Sequence, residues 1–210
     1  MNKVVYTVII GDYKLYEPKV DNPNWDHVCF TDNVNMKSDS WDIRIVENED
    51  NLSDRKLSRK PKILNDYFLK DCDLSIYIDS KFSISCDLDK FVSRQSKDHN
   101  ITMMSHPSRT CLYDEAEYCL KKGIGEKENI KKQIARYKKA GMPRQQGLTA
   151  GGIIIRKHGI ENQTRFMEKW FQELVDGSDR DQIGFPYVLW KNELDLFHMP
   201  FKKTYKRFRR

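Results

Sequence analysis

The segment Val4-Val5-Tyr6-Thr7-Val8-Ile9-Ile10, stopped at once by Gly11-Asp12, limits what this chain can fold into more than any other stretch. It is largely β-branched and apolar without polar alternation. That describes a strand covered on both faces, as in mostly parallel sheets flanked by helices. Residues 74–79 repeat the pattern and end in the carboxylate of Asp79. Further strands are predicted over residues 27–32, 101–105 and 152–155, and where Trp41, Ile43 and Ile45 alternate with Asp42 and Arg44. Residues 82–86 resume apolar alternation after Ser80-Lys81.

Between these runs the period changes to that of a helix. Ile63, Leu64, Tyr67 and Phe68 recur at helical spacing within residues 53–71, with Pro61 expected in the first turn or at a kink. Ile130, Ile134 and Tyr137 mark a second helix, closed by Gly141-Met142-Pro143. Phe166, Met167, Trp170, Phe171 and Leu174 mark a third, which stops before Gly177. Strand and helix interleave throughout with no repeat or linker, so residues 1–210 read as a single α/β domain.

Composition narrows the function. The 37 Lys and Arg exceed the 31 Asp and Glu by six, and Lys202, Lys203, Lys206, Arg207, Arg209 and Arg210 account for that excess. A nucleic-acid-binding domain spreads its charge over a face. No nucleic-acid partner is therefore expected, and the basic tail over 202–210 reads as a solvated end or the start of a linker. Five cysteines without a CxxC pair fit neither a disulfide framework nor a zinc ribbon, which implies a reducing, cytoplasmic compartment. Cys29 and Cys86 read as small buried hydrophobes. No apolar run approaches the roughly 20 residues of a membrane helix, so no membrane span is expected.

In an open α/β sheet, ligands bind beyond the carboxyl ends of the strands. Polar residues there are Gly11-Asp12-Tyr13, Thr31-Asp32-Asn33, Asp79-Ser80-Lys81, and His198 near the end of the 194–199 run. Asp79 is the most informative, because a carboxylate closing an apolar strand is desolvated unless a positive group meets it. Mg²⁺ or Mn²⁺ would serve, with His198 adding an imidazole that favours Mn²⁺. Arg55, Arg59 or Lys62 would serve equally in a structural ion pair, and the sequence leaves both open.

Residues 4–13, Cys29-Phe30-Thr31-Asp32-Asn33, Ile78-Asp79, His106-Pro107-Ser108-Arg109-Thr110-Cys111-Leu112-Tyr113-Asp114-Glu115-Ala116, Gly147-Leu148 and Arg180-Asp181-Gln182 together carry a resemblance. They resemble the glycosyltransferase-like family that includes the plant TOD1 and MUCI70 proteins, in order and over nearly the whole chain. A stand-alone domain of this size is also similar to glycosyltransferase domains that large algal DNA viruses encode for capsid glycans, for which the compartment would be the host cytoplasm. The resemblance implies a single GT-A-like, Rossmann-type domain with a central mixed, mostly parallel sheet flanked by helices. It also implies hexosyl or deoxyhexosyl transfer from a nucleotide sugar, UDP-linked, to a glycan or glycoprotein acceptor, assisted by Mn²⁺ or Mg²⁺ and with retention of configuration. The Asp-x-Asp of such enzymes is not reproduced at Asp79, where Lys81 takes the third position. The literal strings Asp71-Cys72-Asp73 and Asp87-Leu88-Asp89 read instead as caps or turns.

Roles follow from that chemistry. Asp79 and His198 are the expected metal ligands, with Arg59, Lys62, Lys81 and Lys202 for the diphosphate. Thr7, Gly11 and Tyr13 would receive the nucleotide, Tyr13 stacking on the base and Asp32 accepting its imide N–H. His106, Arg109 and Glu115 would contact the sugar, where Gly151 and Gly152 permit close backbone approach. Asp181, with Gln182 and Glu115, is the expected catalytic set, helix capping being the plainer role for Asp181. The missing second acid leaves a non-catalytic nucleotide- or carbohydrate-binding module as the alternative. Hydrolysis of lipid amides lacks a zinc-ligand cluster.

Overall fold

The computed structural model describes residues 1–96 and 98–208. Strands β1 (Lys3–Ile9), β2 (Asp26–Thr31) and β3 (Asp42–Ile45) come first. Helix α1 (Asp54–Ile63) and the short α2 (Asn65–Phe68) lead to β4 (Leu74–Ile78), and α3 (Leu88–Gln95) leads to β5 (Ile101–Ser105). Helices α4 (Leu112–Lys122) and α5 (Lys127–Lys139) precede β6 (Thr149–Lys157). After it come α6 (Glu161–Asp176), α7 (Asp181–Lys191), β7 (Leu196–Met199) and α8 (Phe201–Phe208).

The strands make one sheet in the order β3-β2-β1-β4-β6-β5-β7. Only β6 runs antiparallel to its neighbours, so the carboxyl ends of β1, β2, β4, β5 and β7 share a rim with the amino end of β6. Alternation sorts the side chains onto two buried faces. Tyr6, Val8, Tyr77 and Ile154 pack under α1, α6 and α7, through Leu57, Phe166, Trp170 and Phe185. Val5, Ile9, Ile76 and Ile78 pack under α3 and α8, through Leu88, Phe91 and Phe208. Helices α4 and α5 form a third apolar cluster with Ile183 of α7. The single α/β domain with a mixed, mostly parallel sheet is thus the observed architecture.

Four segments differ from the sequence reading. Pro61 lies inside α1 rather than in its first turn, and the helix breaks soon after it, at Leu64. Residues 82–86 form no strand: their backbone–backbone bonds go to Asp79, Phe208 and Lys19, while Phe82 and Ile84 bury their side chains from a loop. The segment after His106 turns into α4, which sets Cys111, Leu112, Ala116 and Cys119 in the core. The basic tail is a helix rather than a solvated end, with Phe208 fully buried against Phe91 at 4.9 Å between ring centroids. Arg209 and Arg210 lie outside the described residues. Both Asp-x-Asp strings serve the backbone: Asp87 caps α3 through Lys90 N, and Asp73 accepts from Asn2 N at 2.7 Å. All five cysteines are free, with Cys29 buried and Cys86 half-buried.

Candidate active site

A cleft of about 480 Å³ opens at the shared rim where β1 and β4 end. Gly11, Asp12 and Tyr13 form one wall, Asp54, Arg55, Ser58 and Arg59 of α1 another, and Tyr77, Asp79, Ser80 and Arg180 complete it. Gly11 has φ +78°, a conformation that glycine adopts without strain, and it lets Tyr13 N close a turn on Gly11 O at 2.9 Å. Asp32, at the end of β2, secures that turn by accepting from Gly11 N at 3.0 Å. Its carboxylate is therefore partly engaged, while Tyr13 is 68% exposed.

Asp79 follows β4 directly, its own N–H bonded to Gly152 O at 2.9 Å and its Oδ1 accepting from Lys81 N at 3.2 Å. The alternative of a structural ion pair is not realised, since no Lys, Arg or His nitrogen among the described residues lies within 4.0 Å of its carboxylate. Arg55 pairs with Asp179 at 3.3 Å, and Lys62 pairs with Asp181.

Lys62 and Asp181 form a buried ion pair beside the cleft, with side chains 4% and 6% exposed. Burial lowers the Lys62 pKa and Arg59 adds to that, although Asp181 opposes it. Burial works against the Asp181 carboxylate too, but Lys62 and then Arg59 hold its pKa well below the usual carboxylate range. Gly151 makes room for this pair: a Cβ there would stand 2.7 Å from Lys62 Nζ and 3.4 Å from Asp181 Oδ2. Gly152 likewise admits Phe82, 2.9 Å from a hypothetical Cβ. Neither glycine lines the cleft, so both clear space for protein side chains rather than for a sugar.

Arg59 stands above that pair. Burial disfavours its charge, yet Asp181, Tyr77, Asp79 and Asp179 outweigh it and raise the pKa. Its Nη1 donates to Ser58 Oγ at 2.6 Å, and its buried Nε has no hydrogen-bond partner. Arg180, which the sequence reading left without a role, precedes α7 and lines the same cleft, its Nε also buried and unpartnered. Gln182 accepts from Arg180 Nη2 at 2.9 Å and donates to Thr149 O at 3.2 Å, tying α7 to the start of β6.

The His106 string forms a second cluster. Glu115 is a buried residue of α4, not of a loop, and its carboxylate meets Arg109 Nε at 2.5 Å and Arg180 Nη2 at 3.4 Å. His106 Nδ1 accepts from Ser108 N and Arg109 N at 3.3 and 3.0 Å, which leaves its proton on Nε2, 3.6 Å from Glu115. Burial lowers the His106 pKa, opposed by Glu115 and aided by Arg109, so the ring is neutral near pH 7. His106, Arg109 and Glu115 reach the cleft only through Arg180.

The structure does not bring the remaining candidates in. Thr7 faces the opposite side of the sheet from Val8 and Tyr77, its buried Oγ1 unpartnered. His198 on β7 is exposed and in register with Tyr77 through Met103 and Ile154. Three strand spacings of about 4.8 Å put it roughly 14 Å across the sheet from β4, so it and Asp79 cannot share a cation here. Lys81 is exposed with Nζ over the Phe82 ring, and Lys202 is exposed on α8. Asp181 is the first residue of α7, but its carboxylate turns inward to Lys62 rather than capping the helix or entering the cleft. His158, outside the cleft, sits with Nδ1 2.7 Å from Asp66 Oδ1. Asp12, Asp54 and Asp79 line the cleft, but no group of three or more His, Cys, Asp or Glu among the described residues is placed to hold a metal, so a cation at Asp79 would draw few ligands from the protein. That fits a Mg²⁺ or Mn²⁺ site completed by substrate phosphate oxygens, and not a closed protein cage.

An α/β domain with its cleft at the carboxyl rim has its cavity where open α/β sheets bind their ligands. The structure of the WbbM bifunctional glycosyltransferase in its apo form aligns with a TM-score of 0.58 at 13% identity, covering 96% of this chain and 39% of that one. The chain thus spans well under half of that protein. A family model for the TOD1/MUCI70 glycosyltransferase-like domain matches residues 14–208, and the chain belongs to that family. The match begins after Tyr13, so the first strand and its turn lie outside it. No curated protein matches the sequence.

Proposed function

We propose that the chain transfers a glycosyl group from a nucleoside-diphosphate sugar, UDP-linked, to a hydroxyl of a glycan or glycoprotein. The observation that supports this most is the pair of part-buried guanidiniums, Arg59 and Arg180, each with a buried, unpartnered Nε, lining a rim cleft that also contains Asp79. Tyr13 supplies an exposed ring for the base, and Gly11 keeps the backbone low beside it. Arg59, with Arg55 one turn earlier on α1, would face the diphosphate and stabilise the charge that grows as the glycosidic bond breaks. Asp79 together with donor phosphate oxygens would hold Mn²⁺ or Mg²⁺, which when bound adds Lewis-acid neutralisation of the leaving group.

Because Asp181 is engaged by Lys62, it is not the nucleophile in this arrangement. The acceptor oxygen would then attack the anomeric carbon on the face that the diphosphate leaves, forming one C–O bond as the other breaks. Its proton would pass to a departing phosphate oxygen, and configuration is retained. The sequestered Asp181 and the absence of a metal-ligand cluster among the described residues also suit a binding module that does not turn over its ligand. A screen of nucleotide sugars with and without Mn²⁺, reading released nucleoside diphosphate and thermal shift together, separates the two. Release from at least one donor supports transfer. A thermal shift without release would favour the binding module, and neither signal from any donor would end both readings.

A further inference from the structure

Glu115 is 2% exposed and carries one negative charge, yet two arginines share it. Arg109 pairs with it closely: its Nε is 2.5 Å from the carboxylate, and its guanidinium lies 4.1 Å from the centre of the Tyr118 ring. Arg180 is held more loosely, its Nη2 at 3.4 Å to Glu115 and 2.9 Å to Gln182, while its Nε is buried without a hydrogen-bond partner and its side chain lines the cleft. His106, whose Nε2 stands 3.6 Å from Glu115, is neutral. Among Glu115, Arg109 and Arg180 one positive charge is left over, and a part-buried guanidinium with a buried, unpartnered N–H on a cleft wall suits an anion from outside. In the neighbouring cluster Arg59 Nε is likewise unpartnered, although Asp181, Asp79 and Asp179 there match Lys62, Arg59 and Arg55 in number.

We propose that Arg180 is a second contact for the donor's diphosphate, opposite charge meeting opposite charge beside Arg59, and that Glu115 is the positioning residue that aims it there. The inference rests on reading the cleft as a nucleotide-sugar site. It gives the His106–Glu115 segment a task, although none of its side chains lines the cleft: that segment builds the seat for Arg180. A guanidinium suits the task because it offers phosphate oxygens several donors in a fixed plane while keeping one on its carboxylate.

The test uses the full chain. UDP, GDP and ADP are titrated calorimetrically, the tightest is kept, and its nucleoside is measured by ligand-observed NMR. Both ligands are then measured with Glu115→Gln, Arg180→Met and the double variant, with thermal unfolding on the same preparations. Diphosphate affinity should fall at least about tenfold in each single variant while nucleoside affinity stays within about twofold. The double variant should bind no more weakly than Arg180→Met alone, since the two residues act as a unit. Glu115→Gln that keeps its diphosphate affinity, or losses that add in the double variant, would overturn the positioning role. If Glu115→Gln does not fold, Arg180→Met decides, because it leaves Glu115 paired with Arg109. Unchanged diphosphate affinity there overturns the contact. A wild-type chain that binds none of the three diphosphates overturns the reading of the cleft itself, and this inference with it.

Discussion

Lys62 and Asp181 show how one side chain can change its meaning once its neighbours are known. As a sequence element, Asp181 stands where an acid either caps a helix or approaches a sugar; in the structure it neutralises a buried lysine. Asp181→Asn should therefore cost about 3–5 kcal/mol of stability by leaving Lys62 buried and unpaired, a loss that urea unfolding would measure. Lys62→Met with Asp181→Leu should restore most of it, because an apolar pair of similar volume fills the same space. The pH dependence has a definite sign. Asp181 has a depressed folded-state pKa, so its contribution is full above the unfolded carboxylate value of roughly 4 and is lost as pH falls below it. Wild type should lose stability on acidification through that window more steeply than Asp181→Asn; equal slopes would mean that the pair contributes nothing. At this scale Gly11 and Asp79 were legible, because each stops an apolar run and so must stand on the rim. Arg180 was not, because its aim depends on Glu115, 65 residues away in sequence.

Elements were legible in proportion to how purely they followed one period. β1 and β4 are apolar on both faces, so each was found close to its observed bounds, and the unbroken stripe of α6 gave its later turns and its stop but not its start at Glu161. α8 was hidden because its charges dominate its composition, although Phe201, Thr204 and Phe208 keep helical spacing and Thr204 and Phe208 are buried. α4 was hidden inside a string whose polar residues drew attention to chemistry. Residues 82–86 misled in the other direction, since alternation alone cannot tell a strand from a loop that docks Phe82 and Ile84 on a face already built. The helical tail has a measurable consequence: Phe208→Ala should cost about 3–5 kcal/mol, as expected for a fully buried aromatic, and lower the melting temperature. A change within about 0.5 kcal/mol, typical of a surface site, would instead mean that α8 is not docked in solution.

At the scale of the whole molecule, a rim shared by β1, β2, β4, β5 and β7 explains why residues far apart in sequence meet at one cleft, and why His198 can sit on that sheet yet outside it. A single reversed strand, β6, brings its first residues to the same edge, where Gly151 admits the Lys62–Asp181 pair. The described residues contain no helix long and apolar enough to cross a membrane. A ligand that binds only the folded chain stabilises it by about 2.7 kcal/mol at one hundred times its dissociation constant. Amide hydrogen exchange can locate that effect. With the tightest nucleoside diphosphate at saturation, exchange should slow at residues 11–13, 55–59 and 79–81, where the cleft is lined, by more than at any other surface segment. Protection centred instead on the opposite rim, at Asn100 and Glu193–Asp195, or no protection on binding, would contradict the assignment of the donor site.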